Sequence, residues 1–272
     1  MTEITDWDDA YDNAGHVPDG TSYGPRWAEE AAAYRAQGGE MELDVAYGQA
    51  PRQMMDLFYP KADAQGVAMF VHGGYWMKFD KSYWSHLAEG ARAKGWIFAI
   101  PSYTLAPEAR IADMTQEIGR AADYLAERFE GGLHLAGHSA GGHLVSRMAC
   151  RDHPMKQATA ARVVRVLSIS GLHDLGPLQK TKLNETLNID EVEAKRESAA
   201  LLQPREGVDV AAWVGEDERP EFLRQSALLR EAWRAKGAKV SLTVATGRHH
   251  MDVIAPLSDP TSPLTQAWVG LA

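Results

Sequence analysis

Cysteine is nearly absent from this 272-residue chain: Cys150 is the sole example, so no disulfide can close within it. Its neighbours Met148 and Ala149 read it as a small buried apolar side chain. Positive charge is also short. The chain has 28 Lys and Arg against 37 Asp and Glu, a formal net charge of -9. Nucleic-acid binding needs a basic face that releases counterions, and no such cluster occurs. Contact with an anionic membrane would lack electrostatic help, and no run approaches the roughly 18 apolar residues of a membrane span. The N-terminal stretch Met1–Asp9 is acidic and has no apolar centre, so it does not read as a secretory signal. The expectation is a soluble, cytoplasmic protein. Metal-ligand spacing is missing too. His249 and His250 are adjacent, but neither H-x-x-x-D nor H-E-x-x-H accompanies them, so neither a metal nor another cofactor is expected.

What is present is enough apolar matter for a large core, 45% of residues. The first 40 residues are polar and irregular apart from a helical pattern through Arg26–Arg35. Strand-like runs then appear at 42–47, 54–59, 67–71, 97–101, 133–136, 163–170, 208–214 and 240–245. Helical patterns fill most intervals after Val71. In the clearest, Met114, Ile118, Ala121, Ala122 and Leu125 share one face at three- and four-residue steps. Strands alternating with helices predict a mostly parallel sheet of eight strands, covered on both faces. The first two runs have no helix between them, which predicts an antiparallel start. No repeat or linker divides the chain, so residues 1–272 are read as one α/β domain. The polar stretch Gly176–Arg205 breaks the alternation and reads as a surface excursion or a small cap beside the site.

Gly137-His138-Ser139-Ala140-Gly141 fits G-x-S-x-G. A serine on a tight turn between strand and helix has its neighbours crowded by backbone, so glycine is needed two residues either side. A strand-like run before it and a helical one from His143 to Cys150 supply that setting. Ser139 is therefore the candidate nucleophile. His138 reads as structural, since adjacent side chains on the turn point apart. A tetrahedral oxyanion needs donors, and the N–H of Ala140 is one candidate. The others are Gly73 and Gly74, in His72-Gly73-Gly74-Tyr75-Trp76 directly after the third strand; His72 reads as a brace for that loop. Tyr75 and Trp76 are candidate substrate-binding walls. The general base should follow the last strand, which leaves His249 or His250. The acid should follow the seventh, where Gly215-Glu216-Asp217-Glu218 offers three carboxylates. The G-x-x-D/E spacing selects Glu218, with Asp217 its rival.

Taken together these segments resemble the α/β-hydrolase type of kynurenine formamidase (arylformamidase) and its bacterial esterase-like relatives, near the hormone-sensitive lipase group. The resemblance rests on residues 72–76, 137–144, Ser170-Gly171-Leu172-His173-Asp174-Leu175, Glu218-Arg219-Pro220-Glu221-Phe222 and His250-Met251-Asp252-Val253-Ile254. It runs from about Leu43 almost to the C-terminus. It implies the α/β-hydrolase fold, a Ser139–Glu218–His250 triad, and hydrolysis of a small acyl ester or aryl formamide through an acyl-enzyme. It also chooses His250 over His249. The chain departs from the vertebrate-like pattern in carrying Glu where Asp is usual. A general short-chain carboxylesterase is the alternative, and a non-catalytic binding protein on the same fold a remoter one. A small-molecule substrate is the expected partner, and a homodimer is left open.

Overall fold

A computed structural model describes residues 4–270. Eight strands form its sheet: β1 (Met41–Ala46), β2 (Met54–Phe58), β3 (Gly66–Val71), β4 (Ile97–Pro101), β5 (Gly132–His138), β6 (Val163–Ile169), β7 (Asp209–Gly215) and β8 (Val240–Ala245). Their order is β1-β2-β4-β3-β5-β6-β7-β8. β2 is antiparallel to both of its neighbours, and every pairing from β4 to β8 is parallel. The expected eight strands and antiparallel start are both found.

Side chains alternate across a strand, and β3 uses both faces. Val67, Met69 and Val71 enter one core layer; Ala68 and Phe70 enter the other. The first layer receives the helices Ile111–Arg128, Ala140–Met148 and Pro220–Ala235. Met114, Ile118, Ala121, Ala122 and Leu125 are fully buried there, as their spacing predicts. The second layer receives Tyr23–Ala36, Ala88–Ala93 and Pro263–Val269. Among the described residues, no helix is long and apolar enough to cross a membrane.

One sequence expectation needs correction. The helix after Ser139 begins at Ala140, not His143. Gly141 and Gly142 weaken the helical signal there, yet both are required by close packing. The excursion 176–205 sends only Lys182 and Leu183 to the site. Its helix Glu191–Glu197 lies instead against the helices Ile111–Arg128 and Ala140–Met148. Two buried carboxylates hold it down, because such groups need partners. Glu193 accepts from the Arg110 guanidinium and the Ala112 N–H. Glu197 accepts from Arg147 Nε at 3.0 Å and Thr115 Oγ1 at 2.9 Å.

Candidate active site

β5 ends in a turn that sets Ser139 at φ 55 and ψ -118, a conformation L-residues seldom adopt. Holding it there costs on the order of 1–3 kcal/mol. The flanking glycines make room: a Cβ on Gly137 would stand 2.2 Å from the Gly141 carbonyl oxygen, and one on Gly141 would stand 2.0 Å from that of Val71. The Ser139 N–H donates to the Ile169 carbonyl at 2.8 Å, which ties the turn to the end of β6. The helix Ala140–Met148 starts at the next residue, so its positive end faces the serine.

The loop after β3 reaches the same place. A Cβ on Gly73 would lie 3.0 Å from the Cβ of Ser139. Among the described residues, the backbone N–H groups of Gly73, Gly74 and Ala140 donate to no protein acceptor. His72 braces the loop. Its Nδ1–H donates to the Gly73 carbonyl at 2.8 Å, and its ring stacks on Tyr103 with centroids 4.6 Å apart. Burial pushes its pKa down to about 4, so the ring is neutral.

The two adjacent histidines have different partners. His250 bonds Glu218: its Nδ1–H donates to Oε2 at 2.7 Å, and both side chains are shielded from solvent. A carboxylate can only accept, so in the neutral ring the free lone pair is on Nε2. His249 is turned elsewhere, with Nε2 3.2 Å from the Tyr23 hydroxyl and Nδ1 3.2 Å from Asp252. Glu216 and Asp217 are exposed at the surface, whereas Glu218 is buried. His138 braces the loop that carries His250, its Nε2–H donating to the His250 carbonyl at 2.9 Å. Burial, and then the neighbouring His250, holds its pKa well below that of free imidazole. The His250 ring lies between His138 and Phe222, each 4.6 Å away centroid to centroid.

Ser139, Gly73, Gly74 and His250 line a cavity of about 810 Å³. Its apolar wall is aromatic, built from Tyr11, Tyr23, Trp27, Tyr75, Phe79 and Trp84. Much of that wall is N-terminal, in the region the sequence pattern left as irregular. Only Lys182 and Leu183 of the excursion reach it. Tyr75 lines the cavity, but Trp76 does not. Trp76 has no exposed surface and packs edge-on against His143 inside the core, so its expected role as a pocket wall is corrected. The loop backbone sets this: Gly74, Tyr75 and Trp76 all have positive φ, and the turn carries Tyr75 to the cavity and Trp76 into the core.

A family model for the alpha/beta hydrolase fold matches residues 68–270. The chain belongs to the α/β-hydrolase family. It is 28% identical over 233 residues to the kynurenine formamidase of Danio rerio, covering 82% of this chain and 79% of the relative. With the kynurenine formamidase of Salmo salar it is 29% identical over 243 residues, 85% and 82% of the two chains. A solved structure described as a candidate thioesterase, from Silicibacter sp. TM1040, superposes with a TM-score of 0.93 at 44% identity, covering 97% of this chain and 99% of that one. Esterase B from Lactobacillus rhamnosis shares the fold, with a TM-score of 0.66 at 18% identity and 92% of each chain covered. The chain is thus a hydrolase of the ester or amide type.

Proposed function

We propose that this hydrolase cleaves an aryl formamide of the N-formyl-kynurenine kind through an acyl-enzyme on Ser139. The observation that carries the reading is the aromatic-walled cavity of about 810 Å³ with Ser139 and His250 in its lining. It has room for an aryl leaving group, while formyl is the smallest acyl group a serine can accept. The kynurenine formamidases named above support the same substrate class.

In the proposed reaction, His250 Nε2 takes the Ser139 proton as Oγ attacks the formyl carbon. The N–H groups of Gly73, Gly74 and Ala140 stabilise the oxyanion, each such donor contributing roughly 10²–10³ in rate. Glu218 holds the His250 tautomer and offsets the imidazolium charge. The imidazolium protonates the departing aryl amine, and the C–N bond breaks. Water, deprotonated by His250, then attacks the formyl ester and releases formate with Ser139 restored. Short-chain carboxylic or thio-esters are the second reading, favoured by the 44% identity to the candidate thioesterase.

A turnover panel tests the choice, with N-formyl-kynurenine set beside short p-nitrophenyl esters and an acyl thioester. The formamide is expected to have the highest kcat/KM; negligible formamide turnover would overturn it. Ser139→Ala is expected to lower kcat for every substrate by about 10⁴ or more.

A further inference from the structure

Ser170 sits at the carboxyl end of β6, fully buried, with φ 51. Its Oγ–H donates to Glu218 Oε1 at 2.5 Å. The same oxygen accepts the Gly215 N–H at 2.7 Å. The other oxygen, Oε2, accepts from His250 Nδ1 at 2.7 Å. The Ser170 backbone is itself anchored, its N–H donating to the Trp213 carbonyl at 2.7 Å. A serine in the left-handed region is strained, and such strain persists only where the surroundings hold it. Here the strained backbone aims a hydroxyl at a carboxylate.

Glutamate has one more rotatable bond than aspartate, so its carboxylate has more ways to miss the imidazole. Two donors on one oxygen remove that freedom and leave the other oxygen for the base. The donors also come from different strands, β6 and β7, so the carboxylate is held by the sheet rather than by its own flexible loop.

We infer that Ser170 is a positioning residue for the reaction, clamping Glu218 so that a glutamate can serve as the triad acid. This rests on the Ser139–His250–Glu218 reading above. Ser170 acts through Glu218 and touches no reacting atom.

The test is Ser170→Gly, which suits the positive φ while deleting the hydroxyl, made in the full chain. The expected result is a kcat about 10- to 100-fold lower, the size of one hydrogen bond to a charged group, with KM within about threefold. Ser170→Ala is the second variant, to be used if glycine loosens the turn. Both are repeated in a Glu218→Ala background, or in Glu218→Leu, which also offers no acceptor, if the alanine variant does not fold. There the loss of Ser170 should cost nothing further, because its only route to the reaction is already gone. An equal loss in both backgrounds, or an unchanged kcat in the wild-type background, overturns the inference. If Glu218→Ala itself leaves kcat intact, the triad reading fails and the inference with it. If Glu218→Ala is costly and Ser170→Gly is silent, only the Ser170 inference fails.

Discussion

Tyr75 donates its phenol hydrogen to the backbone carbonyl of Tyr11, and the same oxygen accepts from the Asn13 amide at 3.2 Å. One side chain thereby fastens the loop carrying Gly73 and Gly74 to the N-terminal wall of the cavity. Tyr11 is fastened in turn to Glu221, through its hydroxyl at 2.9 Å. Tyr75→Phe keeps the ring and removes both bonds. KM for the aryl formamide is expected to rise about five- to tenfold, with kcat within about threefold, as suits loss of a wall tether. Steady-state kinetics check it, and a collapse of kcat at unchanged KM would assign Tyr75 to the reacting atoms instead.

The proposed acid and base can be separated from their neighbours by substitution. Glu218→Gln keeps an acceptor for Ser170 and Gly215 but puts an amide opposite His250 Nδ1, which favours the wrong tautomer. kcat is expected to fall on the order of 10³–10⁴. Asp217→Asn, at an exposed carboxylate, is expected to change it by no more than about twofold. His250→Ala should abolish turnover, while His249→Ala should act mainly on KM through Tyr23. Reversal of either ranking would reassign the site.

Acid should unfold this protein earlier than its surface charge suggests. Burial lowers the pKa of His72 and His143 to about 4 and that of His173 to about 3; His138 is also strongly lowered. Each stays neutral in the folded chain, whereas in the unfolded chain it takes up a proton near 6.5. Between about 6.5 and 4 the unfolded state binds more protons, so stability falls as pH falls. Each of these histidines contributes a slope approaching about 1.4 kcal/mol per pH unit. Urea denaturation at pH 7.5, 6.0 and 5.0 measures it, and a flat profile across that window would contradict the buried neutral state.

The strands were legible because apolar β-rich runs report burial directly, and Val67–Val71 does so on both faces. The turn at Ser139 was legible because a crowded backbone admits only glycine at Gly137 and Gly141. The cavity wall was not. Tyr11, Asn13 and Tyr23 belong to no periodic pattern, and the partners of Tyr11 and Tyr23, Glu221 and His249, lie 210 and 226 residues away in sequence. Local composition carries no trace of such distant bonds. Trp76 misleads for a different reason, since its neighbour Tyr75 faces the cavity and adjacent side chains on a turning backbone point apart. Ser170 left only a Ser-Gly pair at a strand end as its signal, and its hydroxyl gains meaning only once Glu218 is seen opposite.

The cavity joins residues near the start of the chain to His250 near its end. During synthesis the elbow at Ser139 emerges before the segments that carry Glu218 and His250. Tyr75 and Glu221, which hold Tyr11, are made before the last strand, whereas His250 and His249, the partner of Tyr23, follow it. Folding generally proceeds as the chain emerges, but the His250 side of this cavity comes into place only after β8.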